Sequence, residues 1–348
     1  MSLTQTAYTS RKIIKFGGIG LVGLFLVWNI TIFLVKIYKK NNPEYIPPTI
    51  GYGILPKITF VEKKYEQKNF TFELANDEVP KFEDQSKVYV IYRPNTTFLS
   101  LEEDKKTAAG FGFISQPIEA ESKPGIYKFI DNNLNKTLTV NVLTGDFELK
   151  YPYLTDQLMM NVENLPTKNQ AIQIAQDFLS KGDKLTENLK NGDKNVSYWK
   201  IQDGIIKAVS SSEEANTVRV DMFRDKINNL KILSSNFDKA TVSILISASK
   251  SEGRKIIEFS FKDIIFNKES YETYPIKTAQ EAMESLKSGN FWPAKDVQNK
   301  DIIIRRIYLA YFEPHILINS NFLQPIYVFE GDDGFVAYVP AIKSEYFK

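Results

Sequence analysis

The chain has 348 residues, with 44 Lys and Arg against 42 Asp and Glu, one His and no Cys, which excludes a disulfide framework and any zinc site built on cysteines or on two histidines. The formal balance of +2 comes from the amino-terminal end: the first 40 residues hold six basic side chains and no acidic one, leaving 38 basic and 42 acidic residues beyond them. A body near −4 lacks the basic face that nucleic acid requires, so no nucleic-acid partner is expected.

Residues 1–15 form a short tail carrying Arg11, Lys12 and Lys15. Residues 16–35, FGGIGLVGLFLVWNITIFLV, then run without a charge. About 20 residues at ~1.5 Å rise each span the ~30 Å hydrocarbon core of a bilayer. A signal-peptide core is shorter and ends in small residues. This run ends instead in FLVKIYKK, the flank of a stop-transfer segment, so a retained single-pass anchor is expected. Three basic residues on each flank leave the charge rule nearly balanced. The small tail favours a cytoplasmic N-terminus and an extracytoplasmic body. Gly17, Gly20 and Gly23 give the helix small residues that either pack closely on a partner helix or face lipid; a strict G-x-x-x-G is absent.

Residues 41–56, NNPEYIPPTIGYGILP, hold four Pro and two Gly, which oppose regular helix or central strand. A Pro-rich stalk over residues 36–56 is expected. Residues 57–155 read as a β-rich domain. ITFVEKKY, NFTFEL and KVYVIYR alternate apolar and polar, and IYKFIDNNLNKTLTVNVLTGDFELKY reads as a three-strand meander turning at DNNLN and TGD.

A helix is predicted from Thr167, where T-x-x-Q to Gln170 has capping-box spacing. Ala171, Ile172, Ile174, Ala175, Phe178 and Leu179 follow at helical period, and Gly182 is the stop. Short strands follow: VSYWKIQ, TVRVDMFR, NLKILSS, TVSILISASK and RKIIEFSFKDIIF. Thr278 to Glu281 repeats the cap, Leu286 continues the stripe and Gly289 ends it. IIIRRIYLAYFE, QPIYVFE and FVAYVPAI close the chain as strands, the last two joined by an EGDDG hairpin. The helix starts lie 111 residues apart, so residues 156–275 and 276–348 read as two degenerate units of helix plus antiparallel sheet. The expected fold class is α+β behind a single N-terminal transmembrane helix.

Few residues carry chemistry. The sole histidine, His315, lies in YFEPHILINS and reads as a loop residue. The acidic turn 330–334 lacks calcium-loop spacing and reads as a hairpin turn. GFGF at residues 110–113 comes nearest to a phosphate-binding glycine loop, but no helix is predicted after it. Arg224, Arg305 and Arg306 sit in strand patterns, where an arginine pairs across the sheet or marks a binding surface. No catalytic, cofactor-binding or metal-ligating residue is expected.

The order ANTVRVDMFRDKINNLKI, TVSILISA, TAQEAMESLKSGNF, IYLAYFE and FLQPIYVFEGDDGFVAYVPAI resembles the YycH/YycI group of bacterial membrane-anchored extracytoplasmic regulators. The likeness lies in the anchor, a strand ending in arginine at residues 218–230, a helix opening with E-A at 281–286, and the Q-P-[VI]-[YW]-x-F strand at 324–329. It covers roughly residues 165–342, and the helix starts are similar to those of PepSY-type repeats. The resemblance implies a non-enzymatic protein of the cell envelope that holds a sensor histidine kinase in check through its membrane helix and outer domain. Residues 57–155 do not match the group. The alternative is an anchored envelope hydrolase or carbohydrate-binding protein using two carboxylates roughly 5–10 Å apart in a cleft.

Overall fold

The structure is a computed structural model that describes residues 3–41, 45–60, 66–92, 97, 99–121, 123–156, 165–262, 264–314 and 321–348. His315 and the end of ITFVEKKY lie outside the described residues. The chain divides into two units, residues 1–48 and 49–348.

In the first unit, helix α1 runs over Leu3–Asn41. Its stretch Lys15–Tyr38 has 24 residues and a mean hydropathy of 2.3, long and apolar enough to cross a membrane. Helix continues through residues 36–41, which the sequence assigned to the stalk. No helix breaker occurs there, and the first proline is Pro43.

In the second unit residues 49–56 of the expected stalk are part of the fold. The Ile50 N–H donates to the Thr273 carbonyl at 3.1 Å, and the Thr49 N–H to the Thr273 hydroxyl at 3.0 Å. Leu55 is fully buried and bridges Phe347 in parallel. The Leu55 N–H donates to Tyr346, the Lys57 N–H to Lys348, and the Lys348 N–H returns to Leu55, at 2.8, 3.0 and 3.1 Å. Prolines exclude central strands but not an edge ribbon of this kind.

Two sheets make the body. The first is antiparallel, with nine strands: β3 (Ile118–Glu119), β4 (Ile126–Asp131), β5 (Lys136–Asn141), β6 (Asp146–Lys150), β7 (Lys194–Gln202), β8 (Ile205–Val209), β9 (Thr217–Met222), β11 (Val242–Ser247) and β12 (Ile256–Phe261). Their spatial order is β3-β4-β5-β6-β12-β11-β9-β7-β8. The expected meander is its β4-β5-β6 end.

The second sheet has eight strands, with the path β1-β15-β16-β17-β14 formed by β1 (Asn69–Phe72), β14 (Trp292–Lys295), β15 (Asp301–Phe312), β16 (Phe322–Gly331) and β17 (Val336–Pro340). Beside that path, β2 (Gln85–Tyr92) pairs with β13 (Ile265–Pro275) and β16. The short β10 (Ile232–Leu233) and β1 both pair with β15 in parallel.

Strands from both sides of residue 155 share the nine-stranded sheet, and strands from both sides of residue 275 share the other. The nine-stranded sheet comes wholly from residues 118–261, whereas residues 69–92 and 265–340, with β10, build the other. Residues 57–155 do not form a sheet of their own. Alternation along a strand shows that one face is buried; it does not show which strand lies alongside.

Helices cover each sheet. Helix α2 spans Ser100–Gly110, α3 Lys168–Lys181, α4 Glu187–Asn191, α5 Glu252–Lys255 and α6 Ala279–Lys287. Both expected capping boxes are formed, at Thr167–Gln170 and Thr278–Glu281. Helix α3 packs on β7 and β9 through Ala171, Ala175 and Leu179, and α6 packs on β1 and β17 through Ala279, Ala282 and Leu286. Helix α2 lies in the segment read as β-rich. A Cβ on Gly110 at its end would stand 2.0 Å from the Lys181 carbonyl oxygen, so the glycine permits the close approach of α2 to α3.

Candidate functional site

Two surfaces follow from the residues singled out above: the apolar helix and the arginine-bearing strands. On α1 the Asn29 and Thr31 side chains inside the span bond to the helix itself. Asn29 Nδ2 donates to the Phe25 carbonyl at 2.7 Å, and Thr31 Oγ1 to the Val27 carbonyl at 2.8 Å. Such back-bonding removes the cost of a polar group in hydrocarbon. A Cβ built on Gly17, Gly20 or Gly23 meets nothing within 4 Å. No packing among the described residues demands glycine there.

Arg224 is not on an open surface. It is buried, and its guanidinium grips Glu313 through Nη2–Oε1 at 3.0 Å and Nε–Oε2 at 3.3 Å. Arg224 follows β9 of the nine-stranded sheet and Glu313 follows β15 of the other, so the pair fastens one sheet to the other. The strand ending in arginine thus serves cohesion, because a bidentate buried pair offsets its desolvation only with a fixed partner.

Arg305 and Arg306 remain at the surface, and a bulge in β15 against β16 falls between Ile304 and Arg306. Arg305 grips Asp332 through two 2.8 Å contacts and also pairs with Glu73. Arg306 reaches Glu330 at 3.0 Å and lies over the Tyr308 ring, whose hydroxyl donates to Glu330 at 2.6 Å. The acidic turn and the arginine pair are therefore one cluster. The Arg305 hydrogen bonds hold the Asp332 carboxyl below its usual range. Asp333 and Gly334 take left-handed φ of 56° and 81°, which accounts for the turn residues on backbone grounds.

Open cavities also mark the body. One of about 400 Å³ sits where residues 191–195 meet residues 223–238, with Lys194, Lys231 and Asp193 at its edge and Arg224 in its lining. A second, of about 340 Å³, is walled by the GFGF segment and α3. A third, of about 510 Å³, is lined by Lys57 and Lys277. Burial lowers the Lys277 amine, and Lys57 lowers it further, while Glu281 opposes both. These lysines are not legible as cavity residues from sequence, because a strand or loop lysine reads as solvated.

No protein-family model matches the chain, and no curated protein matches it. Among solved structures it is similar to an uncharacterized protein from Eubacterium rectale ATCC 33656, known from a crystal structure at 1.45 Å resolution. The two are 13% identical with a TM-score of 0.46, over 82% of this chain and 91% of that one.

Proposed function

We propose that this is a membrane-anchored, extracytoplasmic, non-enzymatic regulatory or binding protein that modulates a sensor kinase or another envelope protein. The observation that carries the reading is α1: a 24-residue apolar stretch whose Asn29 and Thr31 side chains bond back to the helix. The resemblance of residues 165–342 to the YycH/YycI group supports the regulatory part. The body contributes a surface rather than a reaction centre in this reading, since Arg305 and Arg306 are engaged with Asp332, Glu73 and Glu330.

The partner is tested by co-purification of the full-length chain with its span intact or exchanged for an unrelated apolar helix of equal length. Loss of the partner on exchange supports a role for the helix; equal recovery removes it. Orientation is tested by single cysteines, which the native chain lacks. A cysteine at Asp203 should react with a membrane-impermeant maleimide in intact cells, and protection there would overturn the extracytoplasmic placement.

A further inference from the structure

The GFGF segment at residues 110–113 has no part in the reading above. It walls a cavity of about 340 Å³, a volume within the range of small-molecule sites. Phe111, Phe113 and Phe178 give the cavity an apolar side. Lys136, at the start of β5, lines it as well and is only 7% exposed.

An ammonium removed from water is costly unless it is paired. Lys136 Nζ donates to the Gly253 carbonyl at 2.6 Å and lies 5.8 Å from the Tyr151 ring centre. It makes no ion pair among the described residues. Burial pushes the amine down to about 8, and Asp131, opposite it on β4, opposes the shift.

Each carboxylate lining the cavity has a hydrogen-bond or ion-pair partner. Asp131 accepts the Asn133 N–H at 3.0 Å, Asp177 accepts the Gln173 amide at 2.8 Å, and Glu252 is paired with Lys255. Lys181, in the last turn of α3, makes no ion pair among the described residues and feels Glu252 only at longer range. Lys136 and Lys181, the lysines of the lining that make no ion pair among the described residues, thus stand beside three aromatic rings.

We propose that this cavity binds a small organic carboxylate, with the carboxylate on Lys136, Lys181 at the rim, and the apolar body against Phe111, Phe113 and Phe178. The proposal is independent of the membrane and partner reading.

The test is calorimetric titration of the full-length chain in lipid nanodiscs with 3-phenylpropionate, its neutral amide, and inorganic phosphate. The carboxylate should bind at least tenfold more tightly than the amide or phosphate, and Lys136→Met should cost at least tenfold in that affinity. Lys181→Met should weaken binding severalfold, and it keeps the test open if Lys136→Met fails to fold. Equal binding of acid and amide, equal binding of phosphate, or unchanged affinity in both variants would overturn the proposal. So would no binding of 3-phenylpropionate at about 10 mM.

Discussion

Arg224 and Glu313 are buried charges 3.0 Å from each other. Removing one partner strands the other. Arg224→Ala should therefore destabilise the body by about 3–5 kcal/mol, while the double change to Met and Leu should recover most of that loss. Denaturant unfolding of wild type, both single variants and the double variant reads this directly. Asp104, on α2, is a different case: it is buried, and its carboxyl is pushed up to about 6 by desolvation, with Lys184 pulling the other way and Glu103 adding to the rise. Its ordinary value is 3.8, so between these two values the folded state binds more protons than the unfolded one. Stability from this group is then greatest in acid and falls as pH rises through about 6. Asp104→Asn should remove that slope and raise stability at pH 7 by about 1–3 kcal/mol. Thermal unfolding of both proteins across pH 4–8 checks the sign; a wild type that gains stability from this position on alkalinisation would contradict it.

The helices show how element-level signals differ in reach. Thr167 and Thr278 each accept a backbone N–H three residues on, from Gln170 and Glu281, and receive the reciprocal contact. Thr→Ala at either site should cost about 1 kcal/mol, and the two losses should add because the helices cover different sheets. These caps were legible because a capping box is local: two side chains three residues apart and an apolar stripe suffice. The meander was legible for the same reason, with Asn135 and Gly145 supplying the left-handed turn positions. Helix α2 was not, since Ser100–Gly110 buries only Asp104 and Ala108 and so carries no apolar stripe. The cavity lysine was equally hidden. Lys136 follows a polar turn and looks solvated, and its acceptor, Gly253, is 117 residues away. Arg224 resembled a surface residue for a related reason, as Glu313 lies 89 residues downstream.

At the scale of the molecule, the strands of the nine-stranded sheet all fall within residues 118–261, and the second sheet is made from both sides of that segment together with the short β10 from inside it. Strand β1 must await β15, some 230 residues later, before its ladder can close, as the register of Asn69 with Asp301 shows. Closing so long a loop is slow relative to local hairpins. Amides of residues 126–150 and 242–261 should therefore gain protection before those of β1 and β15 in pulse-labelled hydrogen exchange during refolding. Simultaneous protection of both sheets would refute that order. The ribbon of residues 55–57 against 346–348 has a mechanical meaning as well. The two segments run in the same direction and share three hydrogen bonds. Tension arriving along the chain at residue 49 would load those bonds side by side, in shear, rather than unzip them one at a time. The place where the chain joins the body is thus a strain-bearing clasp, which holds the last residues of the fold in place against a tug on its beginning.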